Sequence, residues 1–134
     1  VFQFHFLLPS MTCLQNVFLP AQIAGGEKKQ VKKFALELAK LMGVDHVMHK
    51  YPYQLSGGEQ QRVNIIRSLS MKPSLLLCDE PTGNLDSKNS DIVIKLLTEL
   101  SSEMNSTLVI VTHDGNIASR FNNKITIEDG QIIS

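Results

Sequence analysis

The sequence predicts an α/β protein in which a mostly parallel sheet follows a helical part, and three observations carry that expectation. Two continuous apolar runs, Leu75 to Cys78 and Thr107 to Thr112, have the length and composition of strands, the first buried on both faces. Between them Ile92, Val93, Leu96, Leu97 and Leu100 form one helical stripe, so strand, helix and strand make a βαβ unit. From about Thr12 to Lys72 the apolar spacing is helical instead.

The elements follow in order. Val1 to Phe4 read as the tail of a strand, and Gln3 lies where it passes into the loop His5 to Ser10. Thr12 and Gln15 fit a capping box, which starts a helix expected to reach Leu19 and stop before Pro20. Val31, Phe34, Ala35, Leu38, Leu41 and Met42 make an amphipathic helix ended by Gly43, with its lysines on a solvated face. Residues 44 to 54 read as a turn-rich link. Ser56-Gly57-Gly58-Glu59 is a second capping box, and Val63, Ile65, Ile66 and Leu69 carry its helix to about Met71 before Pro73. Ser87 is placed to cap the next helix, Gly115 to Arg120 to form a short one, and Asp129-Gly130 to turn a hairpin.

At 134 residues and 43% apolar content the chain is long enough for one domain with a core. Lysine plus arginine equals aspartate plus glutamate at 13 each, so no overall field draws the chain to nucleic acid or to an anionic membrane. Its apolar runs fall well short of the ~20 residues that cross a bilayer. Work at a membrane is therefore expected only through partners. Cys13 and Cys78 stand far apart, the second inside an apolar strand, which fits reduced thiols. The opening Val1-Phe2-Gln3-Phe4 is strand-like without a leader, as if the chain began inside a longer protein.

Chemistry concentrates between Leu55 and Asp86. A glycine-rich turn entering a helix presents backbone N–H groups and a helix dipole to a phosphate. Asp79 and Glu80 end an apolar strand, and the pleat is expected to send them to opposite faces with different roles. One carboxylate suits a hydrated Mg²⁺ and the other an attacking water. His46 and His49 are spaced for a helix face but bring no further ligand set, so solvated histidines are the plainer reading.

The run LSGGEQQR, then LLLCDEPTGNLD, then Val111-Thr112-His113-Asp114 resembles the nucleotide-binding subunit of ATP-binding cassette (ABC) transporters, over essentially the whole chain. The resemblance implies the C-terminal part of a P-loop NTPase domain. Residues 1–11 would hold the Q-loop and the end of a core strand, 12–72 a helical subdomain with the signature motif, and 73–134 a RecA-like α/β core. It implies ATP and Mg²⁺ as cofactors, Glu80 as catalytic base and His113 as switch histidine. Ser56, Gly57, Gly58 and Glu59 would face the ATP of a second copy in a head-to-tail dimer, with Asp86 in the D-loop. Asp79 would position Mg²⁺, and Gln3 would face metal, nucleotide and the transmembrane permease subunits.

Phe2 to Pro9, Asn16 to Pro20 and PTGNLD further resemble the ATPases of lipoprotein-releasing transporters, peripheral at the cytoplasmic face of the inner membrane. Cell-division and macrolide-exporter ATPases are close neighbours, and soluble non-transport ABC ATPases are the alternative from another class. Asn64, Ile66, Ser68 and Cys78 depart from the alanines usual in this family. No G-x-x-x-x-G-K-S/T phosphate loop occurs, since Gly25-Gly26-Glu27-Lys28-Lys29 lacks its spacing and hydroxyl. The chain is thus expected to be the C-terminal portion of a complete subunit, inactive alone.

Overall fold

The computed structural model describes residues 1, 6–25 and 28–133. Helix α1 (Cys13–Ala24) begins with the expected capping box: Thr12 Oγ1 accepts from the Gln15 N–H at 3.3 Å, and Gln15 Oε1 accepts from the Thr12 N–H at 2.8 Å. The expected stop before Pro20 does not occur, because α1 continues to Ala24 and ends at Gly25 in the left-handed conformation. Proline removes the hydrogen bond to the carbonyl four residues back, at a cost of ~3 kcal/mol. Cys13, Val17 and Ala21 share the buried face, and burying one valine contributes ~1.5 to 3 kcal/mol. Packing of that face offsets the missing bond.

Asn16 is fully buried and organises the preceding loop. Its Oδ1 accepts from the Leu8 N–H at 2.7 Å, while Nδ2 donates to the carbonyls of Leu8, Met11 and Thr12 at 3.1 to 3.2 Å. Helix α2 (Lys28–Leu41) turns Ala35, Leu38 and Ala39 inward, joined by Met42 just beyond its end. Leu41, expected on that stripe, points out at 59% exposure. Gly43 has φ 65° and reverses the chain into two short 3₁₀ turns, Asp45–Val47 and Pro52–Gln54.

Helix α3 (Gly57–Leu69) runs through the centre, with Val63, Ile65, Ile66 and Leu69 wholly enclosed. It packs on both α1 and α2. Three of the unusual residues find their place here. Asn64 Oδ1 accepts from Arg67 Nη2 at 2.9 Å, Ser68 Oγ donates to the Asn64 carbonyl at 3.0 Å, and Ile66 fills the core. Arg67 Nη1 also donates to the Phe6 carbonyl at 3.0 Å, pinning the loop before α1.

Strand β1 (Leu75–Asp79) pairs in parallel with β2 (Thr107–Val111), from Leu75 opposite Thr107 to Asp79 opposite Val111. Helix α4 (Ser87–Glu103) is the crossover and buries Val93, Ile94, Leu97 and Leu100. Ile92, expected in its stripe, is exposed, and Leu96 is half-buried. On the other edge of β1, the Val1 nitrogen donates to the Leu77 carbonyl and the Val1 carbonyl accepts from the Asp79 N–H at 2.9 Å, a parallel pattern that fits a strand tail.

The expectation of a strand buried on both faces is corrected. Leu76 and Cys78 join the core, but Leu75 and Leu77 are 50% and 58% exposed, as are Val109 and Val111 at 43% and 59%. Successive side chains alternate between faces, and helices of the described residues cover only one of them. The chain closes with α5 (Gly115–Ala118) and the hairpin β3 (Ile127–Glu128) and β4 (Gln131–Ile132). Asp129 and Gly130 both have positive φ, as a two-residue hairpin turn requires.

Candidate functional site

Glu80 stands one residue beyond β1, and its position differs from the pleat expectation. Its N–H donates to the Val111 carbonyl at 2.9 Å, and its φ of 45° takes the chain out of the strand. A left-handed turn, rather than strand alternation, therefore separates Glu80 from the exposed Asp79. The turn delivers the Glu80 carboxylate to the end of β2. There Oε1 accepts from the His113 N–H at 2.8 Å and lies 2.7 Å from His113 Nδ1, while Oε2 accepts from Thr112 Oγ1 at 3.2 Å. The Glu80 side chain is only 14% exposed, whereas the His113 ring is 87% exposed.

A carboxylate 2.7 Å from Nδ1 fixes the orientation of the imidazole ring. Thr112 was not singled out from the sequence, although it flanks His113. Its hydroxyl also accepts from the Asp114 N–H at 3.1 Å, so it holds both the carboxylate and the following turn. An open cleft of about 570 Å³ adjoins the pair, with Gly83, Asp91 and Arg120 among its walls. An Arg120–Asp91 ion pair braces its far side.

The second half of the candidate site is the start of α3. Ser56 Oγ accepts from the Glu59 N–H at 3.3 Å and donates to Glu59 Oε2 at 2.7 Å; the same oxygen accepts from the Ser56 N–H at 2.8 Å. Glu59 Oε1 lies 3.4 Å from His46 Nε2. The two Ser56 hydrogen bonds, then His46, hold the Glu59 carboxyl below its ordinary range. A depressed folded value means the stabilisation is complete above the ordinary glutamate pKa and is lost as pH falls through that value toward the folded one. The acid limb of thermal unfolding below the ordinary glutamate range should therefore flatten in Glu59→Gln, which keeps the box but cannot titrate. An unchanged acid limb would remove Glu59 from that role.

The two glycines have different surroundings. A Cβ on Gly57 would meet nothing within 4 Å, whereas one on Gly58 would lie 3.0 Å from Leu85 Cδ2. Gly57 thus leaves open space at the helix start, and Gly58 admits Leu85. Contacts between α3 and residues 81–89 continue along the helix: Gln61 Nε2 donates to the Pro81 carbonyl at 2.7 Å, and Arg62 Nη1 to Asn89 Oδ1 at 3.4 Å. The cap of α4 is Asp86 rather than the expected Ser87. Its Oδ1 accepts from the Asn89 N–H at 3.0 Å and Oδ2 from Asn89 Nδ2 at 2.6 Å, which hold its carboxyl below the usual range. Aspartate is as good a cap as serine, so local spacing alone does not separate them.

A family model described as "ABC transporter" matches residues 1–83. The chain belongs to the ABC transporter family. It is 43% identical over 132 residues to the lipoprotein-releasing system ATP-binding protein LolD of Shewanella sp. (strain MR-4), covering 98% of this chain and 57% of that protein. To LolD of Treponema denticola it is 53% identical over 119 residues, or 89% of this chain and 53% of the relative. Among solved structures, the dimeric form of MJ0796, described as a bacterial ABC transporter cassette, superimposes with a TM-score of 0.86 at 39% identity, covering 98% of this chain and 59% of that one. MJ0796 is also known in a post-hydrolysis state bound to ADP and phosphate, again at a TM-score of 0.86. The chain spans a little over half the length of these relatives.

Within this ABC fold the residues singled out from sequence fall into separate groups. Glu80 and His113 are in direct contact. Ser56, Gly57, Gly58 and Glu59 share the first turn of α3, joined to the 81–89 segment that carries Asp86. Asp79 is exposed at the end of β1, and Gln3 lies outside the described residues. Among the described residues no three His, Cys, Asp or Glu side chains gather as a metal cage. A single exposed aspartate suits Mg²⁺ nonetheless, because that ion keeps waters and phosphate oxygens and takes only one or two carboxylates.

Proposed function

We propose that this chain is the signature and hydrolysis half of an ATPase subunit that powers lipoprotein release from the inner membrane. The observation that carries the reading is the Glu80 carboxylate, held by Thr112 and His113 at the end of a parallel strand. Glu80 acts as the base that orients and deprotonates the attacking water, its two oxygens fixed by neighbouring donors. His113, its ring oriented by the Glu80 carboxylate at Nδ1, contacts the γ-phosphate. Asp79 and Gln3 position Mg²⁺, which when bound neutralises charge on the phosphate oxygens.

Ser56, Gly57 and Gly58 offer their N–H groups and the α3 dipole to an ATP held by a second copy arranged head to tail. Glu59 keeps that turn in shape, and Asp86 places the D-loop beside it. Transmembrane permease subunits complete the assembly at the cytoplasmic face of the inner membrane. The balanced charge, 13 of each sign, supports a protein partner rather than nucleic acid. No helix of the described residues is long and apolar enough to cross a membrane. The similarity to the LolD proteins favours lipoprotein release over the cell-division and macrolide-exporter systems.

Co-purification of the complete subunit with each of the three kinds of permease separates these readings. Selective capture by a lipoprotein-releasing permease is expected. Selective capture by another permease reassigns the cargo, and failure with all three points to a soluble ABC ATPase.

A further inference from the structure

We propose that Gln61 is a positioning residue tying the phosphate-facing start of α3 to the backbone that carries Glu80, so that the two half-sites of this chain shift together. The inference rests on the ATPase reading above. Gln61 lies one helical turn after Gly57, is wholly buried, and donates to the Pro81 carbonyl at 2.7 Å across 20 positions of sequence. Buried glutamine is uncommon and is tolerated where its amide is matched. Here the matched group belongs to the residue next to Glu80.

The backbone at Glu80 is therefore held from two directions. Its N–H is fixed to Val111 of β2, and the next carbonyl is fixed to Gln61 of α3. The intervening φ of 45° is a conformation that a side-chain-bearing residue keeps only under such constraint. Two neighbouring contacts act in the same sense. Leu85 closes on Gly58, and Arg62 reaches Asn89, which in turn holds Asp86. A shift of α3 when Ser56 to Gly58 engage phosphate pulls on Pro81 through Gln61 and so redirects the Glu80 carboxylate.

Two variants of the complete subunit, assembled with its permease, test this. Gln61→Met keeps length and volume but has no donor; Gln61→Glu keeps the shape and, when ionised, cannot donate. Each is expected to lower kcat by roughly ten- to a hundred-fold with KM for ATP within about two-fold of the parent. In the same variants, with Glu80 displaced from Nδ1, the ring-nitrogen NMR signals of His113 are expected to move. Parent kcat per folded subunit, or unmoved His113 signals in the folded variants, would overturn the inference and leave Gln61 a packing residue. An inactive parent would instead remove the ATPase reading, while the His113 signals would still decide the Gln61 to Glu80 linkage.

Discussion

Glu80→Gln in the complete subunit is expected to lower ATP turnover by about 10²- to 10⁴-fold, the usual contribution of a positioned general base, while ATP-bound dimer accumulates. Glutamine retains an oxygen that can accept from the His113 N–H, and its length matches, so the bonds that locate the side chain are largely kept. What disappears is the capacity to take a proton from water. Nucleotide capture by Ser56 to Gly58 and by the partner copy does not use that proton, so binding survives. Steady-state turnover alongside size-exclusion chromatography in ATP reads both effects. Parental turnover in this variant would take the base role away from Glu80.

Purified residues 1–134 alone are expected to hydrolyse ATP no faster than buffer. The 134 residues contain no G-x-x-x-x-G-K-S/T loop, the element that supplies most contacts to the β- and γ-phosphates in P-loop enzymes. Glu80 and His113 are in contact, but a base contributes only where substrate is held against it. The same preparation should self-associate, since Leu75, Leu77, Val109 and Val111 present one continuous apolar face on the open side of the sheet. Robust turnover by this preparation would show that phosphate is held by other groups.

Local signals are the legible ones. The capping boxes at Thr12 and Ser56 involve residues three apart, so the sequence contains every participant. The βαβ unit is legible for a similar reason, because apolar runs and stripes record which element must be covered. Pro20 misleads because the burial of Val17 and Ala21 is decided by α2 and α3, not by α1's own residues. Burial of β1 on both faces fails likewise, since whether Leu75 and Leu77 are covered depends on elements lying against that face.

The site divides along the same line. Motif order brings Glu80 and His113 to notice, and their contact follows from strand pairing that places Asp79 opposite Val111. Thr112 and Gln61 fall inside the same motifs, but motif order assigns neither a contact. A threonine at a strand end and a glutamine inside a helix are ordinary in sequence, and only the tertiary contacts distinguish them.

The left-handed backbone at Glu80 bears on how this position can change over time. A side-chain-bearing residue in that conformation is disfavoured by ~1 to 3 kcal/mol, and glycine adopts it without penalty. Under random substitution judged by stability alone, position 80 would drift to glycine. Glutamate there with φ 45° is a choice against the preference of the fold, so a lineage that no longer needed hydrolysis would be expected to lose this side chain early while the surrounding helices persisted.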